Sequence, residues 1–393
     1  MPIRRRVLCR PRLGTVSLVA VCLTTLSPAA AGAATHPKPD TDPALQRQLE
    51  ALVRSPGGPP GVIAVLKDGR KTQVVTAGVA DLETGRKLRP HDHMRIASAA
   101  KAFSGAVALS LVRLGDLSLD DTLGERLPNL PDAWGAVTLR QLLNHTSGLP
   151  DYSESREFRE TLLANPRHRF DSRKLLNYVV NRSLRFPAGT RYQYSNSDNI
   201  AVALMAEAAT GARYERLLEE LVYRPLGLDR TSLPQGYQMP EPYLHGYDVS
   251  PPEPPEDVSE LIGMSGVWAS GGIVSTPADM TRFIRGYAGG ELYGDDVVQQ
   301  QRDWIEGASQ PAGPGRNKAG LGIFRYTTRC GVVLGHTGNT AGYTQLVAAT
   351  PDGRKSLTFS TTTQINQALK PDLLRQLRAV QENFVCALLK GKS

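Results

Sequence analysis

Met94-Arg95-Ile96-Ala97-Ser98-Ala99-Ala100-Lys101-Ala102-Phe103 sets a hydroxyl and an amine three residues apart where a helix is expected to begin. Residues i and i+3 share a helix face, so the Lys101 amine can lie beside the Ser98 oxygen. A serine hydroxyl is a weak nucleophile at neutral pH and needs a neighbour to take its proton. A lysine does this only where burial or nearby cations lower its pKa. Ala97, Ala99 and Ala100 leave room for a substrate, and a helix N-terminus turns backbone N–H groups toward developing negative charge. An ordinary helix with a surface lysine is the competing reading. This is, however, the only Ser-x-x-Lys in the chain.

Working outward, two strands precede this segment: Val62–Leu66 and Gln73–Gly78, joined by the hairpin signal Lys67-Asp68-Gly69-Arg70. Pro43 opens a helix through Leu45, Leu49, Leu52 and Val53. Beyond Lys101, Phe103, Val107, Leu111 and Leu114 continue a helix to Gly115, and short periodic segments follow at Leu139–Leu143, Arg173–Val180, Ile200–Ala208 and Leu217–Val222. Tyr247–Glu260 reads as a surface loop. After a helix at Pro277–Tyr287, strands return at Gly320–Tyr326, Gly331–Leu334, Tyr343–Ala349 and Lys355–Ser360, and a helix over Pro371–Leu389 closes the chain. The pattern predicts an α/β (α+β) fold: one antiparallel sheet assembled from both termini and flanked by helices, with a helix-rich lobe inserted at about 115–265. Residues 43–390 are expected to form a single catalytic domain behind a flexible lead-in at 35–42.

At 393 residues, 40% hydrophobic and 21% charged, the chain can bury a sizeable core. Its formal charge of +8 includes Arg4, Arg5, Arg6, Arg10 and Arg12, and falls by these five to +3 beyond residue 34, so no nucleic-acid partner is expected. Those arginines head the apolar run Leu13–Leu26 and the small residues up to Ala34, the composition of a secretory signal over 1–34. Arg5-Arg6 leaves the twin-arginine route open, and the run is shorter than the ~20 residues of a membrane span. The expected location is therefore secreted or extracytoplasmic, near the cell wall, with no stable membrane insertion once the signal is removed. Cys9 and Cys22 would leave with it. The remaining Cys330 and Cys386 are expected to form a disulfide in an oxidising compartment, with two unpaired buried thiols as the alternative. His91-Asp92-His93 lacks the further ligands of a zinc site, and phosphate-loop, dinucleotide and Gly-x-Ser-x-Gly patterns are missing, so no metal or cofactor is expected.

Three separated segments combine: Ser98-Ala99-Ala100-Lys101, Tyr194-Ser195-Asn196 and His336-Thr337-Gly338, the last followed by Asn339. With them the chain resembles the penicillin-recognising serine hydrolases, especially the serine D-alanyl-D-alanine carboxypeptidases and class C β-lactamases, which share a β-lactamase/transpeptidase-like fold. Supporting stretches are Leu142–Leu149, Pro225–Leu228, Gly271–Thr276 and Gly320–Gly322. The resemblance covers about 43–389, and the order and spacing of the segments carry it.

The resemblance implies that Ser98 attacks a carbonyl while Lys101 and Tyr194 hold and move protons, forming and then hydrolysing an acyl-enzyme. The Tyr194 phenol is expected to be lowered by the nearby Lys101 cation. Asn196 is expected to bind a substrate amide or orient Lys101, and the backbone N–H groups of Ser98 and Asn339 to form an oxyanion hole beside the small Gly338. His336 stands where the family more often has lysine. It is expected to carry partial positive charge and assist carboxylate binding with the Thr337 hydroxyl. Arg325 is a candidate carboxylate anchor, although strand alternation can turn it away and present Phe324 instead. The implied activity is a D-alanyl-D-alanine carboxypeptidase acting on peptidoglycan stem peptides and binding penicillins, with small peptide or β-lactam substrates, and a monomer is expected. A family esterase, a D-amino-acid amidase, a class C-like β-lactamase and a penicillin-binding sensor without turnover stand beside it.

Overall fold

The computed structural model describes residues 42–391; the expected signal at 1–34 and the lead-in up to residue 41 lie outside the described residues. α1 (Pro43–Arg54) is capped by Asp42, whose side chain accepts from the Ala44 N–H, and starts with proline where a missing N–H costs no hydrogen bond. It buries Leu45, Leu49 and Leu52 at helical spacing. β1 (Gly61–Asp68) and β2 (Lys71–Gly78) form the predicted hairpin, with Asp68 opposite Lys71.

Six more strands come from the other end of the chain: β3 (Ile305–Glu306), β4 (Arg316–Ala319), β5 (Phe324–Thr328), β6 (Gly331–Thr340), β7 (Tyr343–Ala349) and β8 (Lys355–Thr361). The sheet order is β2-β1-β8-β7-β6-β5-β4-β3, antiparallel throughout. Val62 pairs with Thr361, which joins the first strand to the last and makes one sheet from both termini.

Long helices cover both faces: α2 (Ala100–Leu114), α3 (Asn196–Thr210), α4 (Pro277–Gly289) and α5 (Pro371–Lys390). Alternation along β1 sends Val62, Ala64 and Leu66 toward the core shared with α1 and α5. Ile63 and Val65 point to the opposite core, shared with α2 and α4. α2 is buried from Ala100 to Leu111, and residues such as Phe103 and Val107 each stabilise the fold by about 1.5–3 kcal/mol on full burial. Among the described residues the one helical stretch long and apolar enough to cross a membrane, Ala97–Leu114, is 78% buried in this core.

Of the expected strand at Gly320–Tyr326, Phe324–Tyr326 fall in β5, while Gly320–Ile323 form the turn between β4 and β5. Gly320 N–H bonds the Ile323 carbonyl, and Gly322 takes a φ of 67° that glycine accepts without a Cβ clash. β6 runs to Thr340, well past the expected end at Leu334. β5 pairs with it only as far as Gly335, so His336–Thr340 form an edge on that side. The Arg173–Val180 segment is a 3₁₀ run over Ser172–Tyr178, and the 247–260 loop carries a short pairing of Tyr247 with Asp257. A disulfide joins Cys330, at the β5–β6 turn, to Cys386 on α5, with Cα atoms 5.2 Å apart.

Candidate active site

The segment that carries Ser98 enters its helix through a bend. Met94–Arg95 pair with Val274–Ser275, Ala97 adopts a φ of 49°, and Ala97–Ala99 make a single 3₁₀ turn before α2. A left-handed non-glycine residue costs about 1–2 kcal/mol, and here it turns Ser98 toward a cavity of about 690 Å³.

Lys101 lies beneath that serine. Its ammonium nitrogen is 3.2 Å from Ser98 Oγ, 2.8 Å from Asn196 Oδ1 and 2.7 Å from the Ser270 carbonyl oxygen, and the side chain is buried. Burial pushes its pKa down to about 7, against the opposing pull of Asp151 and Asp198. Asn196 is held in turn by Asp151, whose Oδ2 accepts from the Asn196 backbone N–H at 2.8 Å and from its Nδ2 at 3.0 Å. The amide oxygen is thereby fixed toward the lysine.

Tyr194 closes the other side. The Lys101 nitrogen stands 4.9 Å from its ring centre, and the buried hydroxyl has no hydrogen-bond partner of ordinary geometry. Its phenol is not lowered as expected: burial raises it well above the ordinary range, opposed chiefly by the neighbouring Ser98 hydroxyl. The cation beside the ring carries a pKa of only about 7 and does not offset that desolvation. Behind Tyr194, at 4.5 Å between ring centres, lies His145, whose Nδ1 is 2.7 Å from Asp198 Oδ2. Burial lowers His145 to about 3 and raises the Asp198 carboxyl, both directions favouring an uncharged pair.

The β6 edge departs further from expectation. His336 is 1% exposed, its Nδ1 lies 2.6 Å from the Thr337 carbonyl oxygen, and its ring meets Phe324 edge-on at 5.0 Å. Burial pushes it down to about 3, so it is neutral at pH 7 and carries no partial cation. The Thr337 hydroxyl donates to the Pro311 carbonyl at 2.7 Å, and is thus already engaged. Gly338 presses against the serine turn: a Cβ there would stand 2.1 Å from the Ile96 carbonyl oxygen. The Asn339 side chain is saturated by Gln364, Asn366, Thr344 and the Ile365 carbonyl. The residue nonetheless lines the cavity.

Ser98, Tyr194, Asn196, Ser270 and Asn339 line the cavity; His336, Thr337, Gly338 and Arg325 do not. Arg325 lies on the face of β5 opposite the buried Phe324 and Tyr326, and is not among the residues that line the cavity. The one charged side chain lining the cavity among the described residues is Arg378 of α5.

The family model described as Beta-lactamase matches residues 45–381. The chain belongs to the beta-lactamase family. It is 27% identical over 304 residues to penicillin-binding protein 4* of Bacillus subtilis (strain 168), covering 72% of this chain and 63% of the relative. It is 34% identical over 194 residues to a D-aminopeptidase of Brucella anthropi, covering 47% of this chain and 35% of the relative. The chain thus spans between about a third and two thirds of the length of these curated relatives. Among solved structures, a D-stereospecific amidohydrolase from Streptomyces sp. superposes with a TM-score of 0.73 at 28% identity, over 86% of this chain and 97% of that one. D-amino acid amidase from Ochrobactrum anthropi SV3 superposes with a TM-score of 0.76 at 22% identity, over 87% and 98% of the two chains, and shows the shared fold.

Within this beta-lactamase family member, Asp151, the His145–Asp198 pair and Arg378 are the site neighbours that sequence reading missed. His145 sits inside the quoted Leu142–Leu149 stretch and Asp151 two residues beyond it, so a signal for both was present. Arg378 gave none, being one of several basic residues along a closing helix.

Proposed function

We propose that this protein is an exported serine hydrolase working through an acyl-enzyme, a D-alanyl-D-alanine carboxypeptidase on peptidoglycan stem peptides. The observation that carries the reaction type is the Lys101 amine, buried, held at about 7 and 3.2 Å from Ser98 Oγ. A base poised near the working pH takes the serine proton as Ser98 Oγ bonds to the substrate carbonyl carbon. The backbone N–H groups of Ser98 and Asn339 receive the oxyanion. Tyr194, kept protonated by burial, gives its proton to the leaving amine as the C–N bond breaks and recovers one from Lys101. Water then cleaves the acyl ester by the same route in reverse.

Carboxypeptidase is favoured over aminopeptidase by charge. The cavity lining among the described residues holds no aspartate or glutamate to meet a free α-ammonium, while Arg378 can meet a carboxylate. A D-amino-acid amidase or esterase is the second reading. It is favoured by the engaged Thr337 hydroxyl and by the likeness to the Streptomyces D-stereospecific amidohydrolase.

The test is incubation with a fluorescent penicillin, acyl-D-Ala-D-Ala peptides, D-amino-acid amides and short esters, followed by intact mass and product release. Release of D-alanine at a rate above that of the amides supports the carboxypeptidase. Turnover of amides or esters alone supports the second reading, and penicillin labelling without release of any product points to a sensor.

A further inference from the structure

We infer that Arg378 is the carboxylate-binding residue of this site, reading a free substrate carboxylate from the α5 wall of the cavity and not from the β6 edge; this rests on the carboxypeptidase reading. The three groups on or near that edge are each accounted for otherwise: His336 is buried and neutral, Thr337 donates to Pro311, and Arg325 does not line the cavity. An anionic substrate group entering the cavity therefore meets one fixed cation.

Arg378 is built for the task. Its Nε donates to the Gly313 carbonyl at 3.1 Å and its Nη2 to the Gly315 carbonyl at 3.0 Å. Those two bonds set the plane of the guanidinium without neutralising it, and no carboxylate pairs with it among the described residues. A guanidinium has five N–H donors, so three remain, including both on Nη1, enough for a paired contact with a carboxylate. Leu374, one turn earlier on α5, lines the cavity beside it, and the Cys330–Cys386 bridge ties the far half of the helix to the sheet. The same arrangement places the Gly313–Gly315 loop, which Thr337 also holds through Pro311, between the β6 edge and α5. This loop accounts for the shift of anion recognition from one wall to the other.

The experiment compares hydrolysis of an acyl-D-Ala-D-Ala peptide with that of the same peptide carrying a C-terminal amide. The wild-type protein is expected to favour the carboxylate form in kcat/KM by about tenfold or more, and Arg378→Gln to reduce that ratio by about tenfold to a hundredfold, chiefly through KM. Arg378→Lys, which keeps the charge, should recover part of the ratio. A loop-pinning role alone would lower both substrates together and leave the ratio unchanged, and that outcome overturns the proposal. So does a wild-type ratio near one, which needs no variant to fold.

A separate arm keeps the subsite distinct from the reaction: N-acetyl-D-alanine is tested as an inhibitor of neutral ester hydrolysis. If neither peptide is cleaved, yet this carboxylate inhibits the wild type and inhibits Arg378→Gln at least tenfold more weakly, the carboxypeptidase reading falls and the subsite stands. Equal inhibition of the two proteins removes the subsite.

Discussion

Asn196 accepts a 2.8 Å hydrogen bond from Lys101 across 95 residues of sequence, joining the first turn of α3 to the first turn of α2. The bond holds the amine within reach of Ser98, and Asp151 holds the amide that makes it. A lysine buried without a carboxylate in direct contact titrates far below its ordinary range, and that is what makes it a base.

Hydrolysis of a neutral ester should therefore rise with pH through about 7, the value at which burial leaves Lys101. The folded amine is lowered from 10.5, so it is mostly unprotonated, and active, above that point. Asp151 raises it; Asp151→Asn should shift the limb to lower pH. Lys101→Met should lower acylation by about 10²–10⁴-fold. A pH profile whose limb stays in place in Asp151→Asn speaks against Lys101 as the base.

Ser98 should carry the acyl group. Peptide mapping after penicillin labelling is expected to place the adduct on Ser98, and Ser98→Ala to abolish both label and turnover. An adduct on another residue ends the mechanism.

His336 should shape stability, not the pH dependence of substrate binding. Its folded pKa of about 3 lies below its reference of 6.5, so between these values the unfolded chain holds a proton that the folded one does not. The stabilising contribution is complete above about 6.5 and is lost as pH falls toward 3, at about 1.4 kcal/mol per pH unit. His145 acts in the same direction and Asp198 in the opposite one. Urea denaturation across this range should show a shallower slope for His336→Gln than for wild type. An unchanged slope would mean that His336 is protonated in the fold.

Reduction of Cys330–Cys386, or Cys330→Ser, should lower stability by about 4 kcal/mol in the chain-entropy account of a closed loop, given a sequence separation of 56. Thermal unfolding with and without reductant measures this. No shift in Tm would show that the β5–β6 turn and α5 stay docked without the bridge.

Gly338→Ala should destabilise the protein by about 1–3 kcal/mol or more and impair acylation together. The added methyl meets the Ile96 carbonyl at 2.1 Å and the Ala99 nitrogen at 3.2 Å, both backbone atoms of the turn that presents Ser98. Wild-type acylation in this variant would show that the turn can recede freely.

The strands that announce themselves locally were legible: Tyr343–Ala349, buried along its length, appears with its expected bounds, and the β1–β2 hairpin with its expected turn, whereas the short edge strands β3 and β4 were not expected. Ser98 and Lys101 were legible because residues three apart at a helix start share a face, whereas Tyr194, which precedes α3, and Asn196, its first residue, were read through the family resemblance. The extent of β6 and the break at Gly320–Gly322 were not, since both depend on partners distant in sequence: β7 for the first, and for the second Gly105, whose Cα a Cβ on Gly322 would approach to 2.9 Å.

By itself the sequence determined the fold class, the order of its elements and which residue types could meet at a serine nucleophile, because periodicity and local spacing survive in one dimension. Tertiary structure alone decided the charge states and the use of each wall. Desolvation is a property of surroundings: it brings Lys101 to about 7, neutralises His336 and raises Tyr194. The same holds for Arg378, whose place on the cavity depends on how α5 packs against the sheet and on two loop carbonyls more than 60 residues upstream.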